Sequence, residues 1–287
     1  MSFSRIAFTV TAFFLTTSAL THAEEGKFTA SPGLQLYSLR SQFKLKGVPR
    51  TLDTVKSFGI QLVELAGTHE MPIPEFKKEL ESRGLKAVSA HYPYKRWQTE
   101  PDAVAQEAKE LGLEYAGCAW ADHKSPMDEA QAREIAATFN QAGAALAKVG
   151  IKFFYHLHGF EYQPWKKGET LADLIIQETN PEQVKFQMDT LWVVFPGQDP
   201  VKLLEKYPNR WDLMHLKDLK QGVATGSLSG QTDVNNDVTL GTGQMNWAAI
   251  LATAQKVGVK YYFIEDESSS SESQIPKSVK FLQSIRW

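Results

Sequence analysis

The sequence is poor in three features: it has a single cysteine, no segment rich in lysine and arginine, and no apolar run of the roughly 20 residues that a membrane helix needs. A lone cysteine excludes a disulfide within the chain, so a large core must stabilise the fold. We interpret that residue, Cys118, as a small buried hydrophobe because its neighbours are apolar. With a net charge of -2 and no basic stripe, the chain is not expected to bind nucleic acid. No membrane span is expected either.

The first residues have the pattern of a secretory signal peptide. A positively charged Arg5 precedes an apolar run over residues 6–15, and small side chains then provide a cleavage site. We therefore predict a signal peptide at residues 1–23 and a single mature domain at residues 24–287. Because the pattern is of a bacterial kind, we expect the mature protein in the periplasm or secreted from the cell.

Eight short apolar stretches alternate with stretches of helical character along the mature chain. The predicted strands lie at 33–39, 61–66, 86–91, 114–119, 152–158, 184–189, 212–217 and 260–265. The predicted helices lie at 51–58, 74–82, 101–111, 128–149, 171–178, 200–207, 246–257 and 276–285. This alternation, in a chain of 287 residues that is 43% hydrophobic, predicts an α/β protein of the (β/α)8 TIM-barrel type. A doubly wound open sheet is the alternative.

One polar insertion interrupts this pattern between the seventh predicted strand and its helix. It spans Lys220 to Asp237 and is rich in Gly, Ser, Thr and Asn. On a barrel it would lie on the rim that carries the active site, so we expect a mobile loop that covers a substrate. Residues 268–271 form a second polar segment on the same rim.

Metal-capable side chains stand at the ends of four predicted strands. They are His156 and His158 at the fifth strand, Asp189 at the sixth, His215 at the seventh and Glu265 at the eighth. The carboxyl ends of all barrel strands meet on one rim, so these side chains should converge there. Two imidazoles with two carboxylates suit one divalent ion such as Mn²⁺, Co²⁺, Zn²⁺ or Mg²⁺. Spacing alone leaves open whether His156 or His158 is the ligand, since both point the same way.

Several short pieces of the sequence occur in an order known from one group of barrels. They are Ser89-Ala90-His91-Tyr92-Pro93, Tyr155-His156-Leu157-His158, Met188-Asp189-Thr190-Leu191-Trp192, His215-Leu216-Lys217-Asp218, Gly241-Thr242-Gly243-Gln244-Met245-Asn246-Trp247 and Ile264-Glu265-Asp266-Glu267. With them the chain resembles the xylose isomerase-like barrel superfamily, often labelled sugar phosphate isomerase/epimerase, over nearly its whole mature length. The His-x-His and His-Leu-Lys-Asp pieces look more like the inosose dehydratase branch and like periplasmic lyases that act on 3-keto-glycosides.

The resemblance implies that one divalent ion is held by His156, Asp189, His215 and Glu265. Ketose 3-epimerases of this superfamily have a glutamate in place of His156 and a histidine in place of Trp192, so simple ketose epimerisation is not what the pattern favours. The chemistry that the resemblance implies is removal of a proton next to a sugar carbonyl, with a metal-stabilised enediolate. Loss of a β-substituent then makes a lyase or dehydratase, which we favour. Reprotonation instead makes an isomerase or epimerase.

Three residues are candidates for acid–base catalysis: His158, Glu265 and Lys217. A lysine beside a metal can lose its proton and serve as a base, or it can stay charged and hold an oxyanion. A salt bridge between Lys217 and the neighbouring Asp218 is an equally good interpretation.

Four residues are candidates for substrate binding. Glu64 and His91 end the second and third strands, and Trp120 and Trp192 follow the fourth and sixth. Aromatic side chains suit the apolar faces of sugar rings, although ordinary packing explains the tryptophans equally well. The Gly-x-Gly at residues 241–243 could be taken for a phosphate cradle, but one such motif is weak evidence. Since an exported enzyme rarely meets sugar phosphates, we expect an unphosphorylated small saccharide.

Two other classes of protein fit parts of the pattern. A barrel that binds sugars without catalysis would keep the tryptophans and lack metal affinity. A phosphodiesterase of the endonuclease IV kind needs more His and Asp ligands than the sequence offers, and Trp192 stands where one would be. The lack of a basic surface also argues against the phosphodiesterase.

Overall fold

The computed structural model describes residue 1 and residues 26–287, so the predicted signal peptide lies outside the described residues. Within them, eight parallel strands follow one another in chain order and close into a barrel. These strands are β1 (Gly33–Gln35), β2 (Leu62–Leu65), β3 (Lys86–His91), β4 (Tyr115–Cys118), β5 (Lys152–His156), β6 (Val184–Asp189), β7 (Trp211–Leu216) and β10 (Tyr261–Ile264). The predicted TIM barrel is confirmed. An open sheet is excluded because β1 pairs with both β2 and β10.

Helices follow the strands and cover the outside of the barrel. They are α1 (Arg40–Ser57), α2 (Ile73–Glu81), α3 (Tyr94–Thr99), α4 (Pro101–Leu111), α5 (Glu129–Ala147), α6 (Leu171–Glu178), α7 (Thr190–Val194), α8 (Pro200–Lys206), α9 (Trp247–Val257) and α10 (Ser271–Ser284). Glycines in the left-handed conformation end α4 and α9. Among the residues described, no helix combines the length and the apolar character needed to cross a bilayer.

Several predicted boundaries were wrong. The fifth strand ends at His156, two residues before its predicted end, so His158 follows the strand. The first strand ends at Gln35, because its side chain accepts the amide hydrogen of Tyr37 and starts a 3-10 turn. Helix α1 begins well before residue 51, with Gly47 in a non-helical conformation inside it. Helix α10 begins a turn before Pro276, since the carbonyl of Ser270 already accepts helical hydrogen bonds.

The polar insertion is partly ordered into an antiparallel ladder. Strand β8 (Asp218–Leu219) pairs with β9 (Asp237–Val238) at the two ends of the insertion. The sequence predicted only a loop here, because each strand has two residues and no apolar run marks it. The ladder fixes the start and the end of the insertion against the rim of the barrel.

Inside the barrel, an apolar layer lies beneath a polar one. Phe154, Leu213 and Phe263 are fully buried and belong to one hydrophobic cluster. Each precedes by two residues a metal-capable side chain, and residues two apart on a strand share a face. The floor of the polar layer is therefore apolar.

Strand register places the polar side chains next to one another. In the β5–β6 pair His156 lies opposite Gln187, and in the β6–β7 pair Asp189 lies opposite His215. All residues of β6 and β7 are buried, as expected for parallel strands covered on both faces. Residues far apart in sequence are thus held as neighbours by the backbone hydrogen bonds of the barrel.

Candidate active site and metal centre

The four predicted ligands converge at the carboxyl end of the barrel. His215 Nδ1 lies 3.7 Å from Asp189 Oδ2 and 3.2 Å from Glu265 Oε2. His156 Nε2 lies 3.9 Å from the same Asp189 oxygen. One atom each of Asp189, His215 and Glu265 lie within 4.8 Å of one another, as do those of a second group, His91, His156 and His215. His158 belongs to neither group, although the sequence left it open as the fifth-strand ligand.

Two atoms at the centre of this cluster lack a hydrogen-bond partner among the described residues. They are Asp189 Oδ2 and His215 Nδ1, and both are buried; the Glu265 oxygen 3.2 Å from His215 Nδ1 makes an ionic contact without hydrogen-bond geometry. The other carboxylate oxygen of Asp189 accepts the amide hydrogen of Trp192 at 3.0 Å and so caps α7. Buried polar atoms are almost always satisfied, so unpaired atoms that face one another need an explanation. A bound cation satisfies both, and the residues therefore fit a metal ion.

In His215 and His156, the ring nitrogen that faces away from Asp189 makes a hydrogen bond to another side chain, as is usual for histidines that bind a metal. His215 Nε2 donates to Glu64 at 2.5 Å, and His156 Nδ1 donates to the side-chain oxygen of Gln187 at 3.0 Å. A ligating histidine commonly donates its second nitrogen to a carboxylate or carbonyl, which fixes the tautomer and the ring orientation. The inner nitrogens are thereby left facing Asp189. Burial, and after it the charges of nearby histidines, lower the pKa of His156 well below its usual value, so this imidazole is neutral.

Glu64 lies beneath the cluster rather than on the surface of the cavity. It is fully buried and accepts hydrogen bonds from Gln35, Ser89 and Gln187 as well as from His215. Burial alone would raise its pKa, but His91 and His215 outweigh burial and lower the pKa of Glu64 to about 2. The prediction that Glu64 binds substrate therefore needs correction: its carboxylate orients a histidine and has no open surface.

His215 is fully buried among the carboxylates of Glu64, Asp189 and Glu265. Burial opposes its charge, but Glu265 and Glu64 raise the pKa of His215 well above its usual value. The surroundings thus favour positive charge at this point. A proton supplies that charge here, and a divalent ion would supply it in place of the proton.

His158 lies beside the cluster, with its Nδ1 buried and unpaired among the described residues. Its ring is 4.5 Å from that of His156 and packs near Trp120 and Trp192. Burial, followed by the charge of Lys217, lowers the pKa of His158 to about 3, so the ring is uncharged. The backbone amide of His158 donates to the carboxyl group of Glu161, which fixes the turn after β5.

Lys217 is buried among three carboxylates. Its Nζ lies 2.5 Å from Glu267, 3.2 Å from Glu265 and 3.6 Å from Asp237. Burial works against the charge, but these carboxylates raise the pKa of Lys217 well above its usual value. Burial would also raise the pKa of Glu265, yet Lys217 and His215 hold that pKa well below its usual value.

Two interpretations of Lys217 drawn from the sequence therefore change. The ammonium group keeps its proton, which excludes a neutral lysine base in this arrangement. The expected salt bridge to Asp218 does not form, because the Asp218 carboxylate points instead to the backbone of residues 241–245 and to Trp247. Consecutive residues leave the strand on opposite faces, so the two side chains separate.

A cavity of about 450 Å³ opens above the cluster. His91, His156, His158, His215 and Glu265 line its base, and Trp120 lines its wall, together with Tyr37, Ala66, Tyr92, Pro93, Ala119 and Glu267. A second chamber of about 290 Å³ shares Trp120, His158 and Glu267 with the first. Trp192 and residues 230–237 of the insertion line this second chamber. The insertion thus borders the site, as expected from its place on the rim.

Sequence reasoning missed several residues of the site. Gln187 accepts hydrogen bonds from both His91 and His156, at 3.0 Å each. Its position two residues before Asp189, which places both side chains on the same face of β6, was the signal that could have identified it. Glu267 and Asp237 gave no comparable signal, because their contact with Lys217 depends on loop geometry.

The sequence matches a family model and several curated proteins. Residues 52–285 match the model described as xylose isomerase-like TIM barrel. A region of 103 residues is 31% identical to inosose dehydratase of Clostridium tetani and covers 36% of this chain and 33% of that protein. For inosose dehydratase of Clostridium botulinum the identity is 24% over 188 residues, covering 58% and 62%. The chain thus spans from about a third to three fifths of the length of these relatives.

Solved structures are similar over most of the chain. A sugar phosphate isomerase/epimerase from Parabacteroides distasonis is 26% identical, with a TM-score of 0.73, and the alignment covers 95% of this chain and 99% of that chain. The IOLI protein with a binding zinc atom is 12% identical, with a TM-score of 0.70 and coverage of 88% and 95%. At 12% identity the second likeness concerns the fold alone.

Proposed function

Because this chain belongs to the xylose isomerase-like TIM barrel family, we propose that it is a divalent-metal-dependent enzyme acting on a saccharide. The proposed reaction removes a proton next to a sugar carbonyl and then eliminates a β-substituent, which makes the enzyme a lyase or dehydratase. Curated relatives named inosose dehydratase support the elimination. Keto-sugars and 3-keto-glycosides are the substrate candidates.

The observation that carries this proposal is the cluster at the base of the cavity. Asp189 Oδ2 and His215 Nδ1 are buried, lack partners among the described residues, and face one another beneath a space large enough for a sugar. A sugar-binding barrel without catalysis has no need for such a cluster. The cluster also sits at the carboxyl ends of the strands, where barrels of this type carry their chemistry.

His156, Asp189, His215 and Glu265 would hold the metal ion. When bound, a divalent ion acts as a Lewis acid that polarises the carbonyl group and stabilises the negative charge that develops on it. Mn²⁺, Co²⁺, Zn²⁺ and Mg²⁺ are all compatible with two nitrogens and two carboxylate oxygens.

His158 is the proposed proton acceptor. It lines both chambers, its ring is uncharged, and its buried Nδ1 has no partner among the described residues. A base must lie within hydrogen-bond reach of the proton that it removes, and His158 is held at the cavity by the Glu161 turn. Glu265 is the second candidate, since its carboxylate is ionised and lines the first chamber.

Lys217 is proposed to stabilise negative charge rather than to accept a proton. Lys217 lines the second chamber, and its ammonium group contacts Glu265 and Glu267. From there it holds both carboxylates in place and offers positive charge to a departing substituent. His91, Trp120 and Trp192 are proposed to contact the sugar, because each lines one or both chambers.

A second candidate function is isomerisation or epimerisation at the same site. The solved sugar phosphate isomerase/epimerase from Parabacteroides distasonis favours it, because the likeness covers nearly all of both chains at 26% identity. The two reactions share proton removal and differ in the fate of the enediolate. Product analysis separates them, since elimination releases the β-substituent as water or an alcohol beside an unsaturated sugar, and epimerisation leaves the mass of the sugar unchanged.

Metal content is the experiment that tests the proposal first. We expect near-stoichiometric divalent metal in the wild type and its loss in Asp189→Ala and His156→Ala. His158→Ala should retain the metal and lose turnover, which makes it the matched control. A wild-type protein that stays metal-free after incubation with Mn²⁺, Co²⁺ and Zn²⁺ would contradict the enzyme and favour the sugar-binding barrel.

Export completes the proposal. A signal peptide at residues 1–23 would place the enzyme in the periplasm or outside the cell. N-terminal sequencing of the protein secreted or exported by a bacterial host tests this, and a mature protein that still begins at Met1 would contradict it.

A further inference from the structure

The two chambers of the site differ in what lines them. The first, of about 450 Å³, is lined by three of the four proposed metal ligands, His156, His215 and Glu265. Among the described residues, none of the four ligands lines the second chamber, whose volume is about 290 Å³. A sugar carbonyl next to the metal would therefore lie in the first chamber, which leaves the second chamber for another part of the substrate.

His158 stands at the boundary between the two chambers. It lines both of them, as Trp120 and Glu267 do. Its ring centre is 4.5 Å from that of His156 and 5.5 Å from that of Trp192, which lines the second chamber. The proposed proton acceptor is thus close to the contents of both chambers. A bond that joins a group in one chamber to a group in the other would pass beside it.

The second chamber has a hydrogen-bond donor that the protein leaves unsatisfied. Trp192 is 6% exposed, and its indole Nε1 is buried without a partner among the described residues. A buried indole N–H usually has an acceptor, and this one belongs to a residue of the chamber lining. A ligand with an acceptor oxygen in this chamber would satisfy it.

The polar insertion contributes further hydrogen-bonding groups to the same chamber. Gly230, Gln231 and Thr232 all line it. Gly230 is buried, and neither its amide nor that of Thr232 donates to another residue that the structure describes. The exposed side chain of Gln231 adds an amide that can both donate and accept. Such a mixture of donors and acceptors suits hydroxyl groups.

Gly230 holds the insertion against the barrel and so closes the chamber. Its φ angle is +65°, and a Cβ atom there would lie 2.9 Å from Phe160 Cδ1, 3.3 Å from the carbonyl oxygen of His158 and 3.4 Å from Trp120 Cζ3. Glycine allows both this conformation and this close approach. The wall of the second chamber is therefore built by direct packing of the insertion on the residues that follow β4 and β5.

The size and lining of the second chamber match a second sugar ring. A hydroxyl group, about the size of a water molecule at roughly 30 Å³, would fill little of its volume of about 290 Å³. A purely apolar substituent would leave Trp192 Nε1 unpaired, which is costly for a buried donor. A sugar ring combines hydroxyl groups with apolar C–H faces, for which Trp120 and Trp192 offer large apolar surfaces.

We propose that the second chamber binds the part of the substrate that is eliminated, and that this part is a second sugar ring. The inference rests on the proposed function, because it takes the ring with the carbonyl group to lie in the first chamber. It goes beyond that function by making the broken bond a glycosidic C–O bond. The reaction is then the cleavage of a glycoside, and the group that leaves is a sugar rather than water.

The elimination balances without a further reagent. The C–H bond next to the carbonyl breaks and its proton passes to His158, while the electron pair forms a C=C bond as the glycosidic C–O bond breaks. The departing oxygen then takes that proton from His158, which lines both chambers. The second ring leaves with a free hydroxyl group, and the first remains as an unsaturated keto-sugar. Nothing is oxidised or reduced.

Sugars without a keto group test the second chamber by binding alone. Methyl α- and β-glucoside carry one ring, and cellobiose, maltose and trehalose carry two; each can be titrated calorimetrically against the metal-loaded protein. We expect the best disaccharide to bind at least about tenfold more tightly than either methyl glucoside. If no disaccharide binds more tightly, the inference is overturned and the proposed function stands. Tighter binding of phenyl glucoside than of every disaccharide would overturn the assignment to a sugar ring.

Substitutions in the second chamber test whether the gain arises there. Gln231→Ala, on the exposed loop, and Trp192→Phe, which removes the indole N–H, should each reduce disaccharide affinity about three- to tenfold more than methyl glucoside affinity. Thr225→Ala is the matched control, because Thr225 is exposed on the same insertion and lines neither chamber.

Equal losses for one-ring and two-ring sugars would contradict the assignment of the second chamber. If Trp192→Phe does not fold, Gln231→Ala decides. Binding of no sugar by the metal-loaded wild type would overturn both the inference and the saccharide specificity on which it rests. The metal content of the same protein still tests the metal centre separately.

Discussion

The two ends of the barrel both carry charged side chains, yet they use them differently. At the amino end, Asp212 accepts from the Tyr115 hydroxyl at 2.7 Å and from Lys260 at 2.9 Å, and Glu114 pairs with Lys86 and Tyr261. At the carboxyl end, Asp189 and His215 have buried atoms without partners among the described residues. The same strand, β7, contributes Asp212 to one end and His215 to the other. Full pairing indicates a structural role, and incomplete pairing indicates a place for a ligand.

Neutralising the carboxylate of Asp189 should give the largest effect, and it tests whether the carboxyl end of the barrel binds a ligand. We expect Asp189→Asn to weaken metal binding by about 100-fold or more, because a charged ligand becomes a neutral one. The free energy of unfolding of the metal-free protein should change by less than about 1 kcal/mol. Metal competition assays and denaturation with a chelator measure the two quantities. A large loss of stability with metal affinity retained would instead give Asp189 a structural role.

The corresponding substitution at the amino end should lower stability and leave metal affinity unchanged. Asp212→Asn removes the charge that pairs with Lys260 and disturbs the hydrogen bond from Tyr115, so we expect unfolding to become easier by about 1–3 kcal/mol. Metal affinity should stay unchanged, because Asp212 lies at the other end of the strand. Loss of metal from this variant would show that the two ends are not independent.

A substitution of Glu64 tests whether this buried carboxylate positions the metal ligands above it. We expect Glu64→Gln to reduce metal affinity by about tenfold, because the amide is a weaker acceptor for His215 Nε2 than the carboxylate. Ser89→Ala is the control: it removes one donor to Glu64 and keeps the carboxylate, so its effect should be smaller. Equal metal affinity in Glu64→Gln and the wild type would argue against the positioning role.

Glu161 should give the free energy of unfolding a gradual pH dependence, without any effect on metal affinity. Burial, against hydrogen bonds from Tyr155 and the backbone, raises the pKa of Glu161 from 4.5 to about 7. Between these values the native state holds one more proton than the unfolded state. The free energy of unfolding should therefore fall as pH rises through this window, by at most about 1.4 kcal/mol per pH unit.

Glu161→Gln should remove that slope, measured by chemical denaturation at several pH values. Glu114→Gln, at the amino end, is the matched control. Burial would raise the pKa of Glu114, but Lys86 and Tyr261 lower it, so this carboxylate is ionised throughout the window. If the slope remains in Glu161→Gln, the pH dependence comes from another titratable group.

The convergence of the ligands could be predicted from sequence because each one ends a local apolar run. His156, Asp189 and Glu265 stand at or just after the ends of their strands, and barrel closure then brings such ends together. The direction of each strand and the one rim that they share are properties of the fold class. No knowledge of individual contacts was needed.

Contacts made by loops could not be predicted in this way. Lys217 and Asp218 are adjacent, and local reasoning paired them, but the strand sends one side chain to Glu265 and Glu267 and the other to the Gly-x-Gly. Glu64 was predicted to face the substrate, yet the depth of its position on β2 buries it under His215. The first outcome depends on which loop residues surround each side chain, and the second depends on how deep Glu64 lies in the barrel. Spacing along a strand encodes neither.

The apolar layer of Phe154, Leu213 and Phe263 closes the floor of the polar site, and the cavity lies on the other side of that site. We therefore expect an ion at the base of the cavity and a saccharide above it to use the same route in and out. We expect the two to exchange in a fixed order, with the ion first to enter and last to leave. A chelator should therefore remove the metal more slowly as the saccharide concentration rises. The residence time of the ion then measures how long a saccharide occupies the cavity.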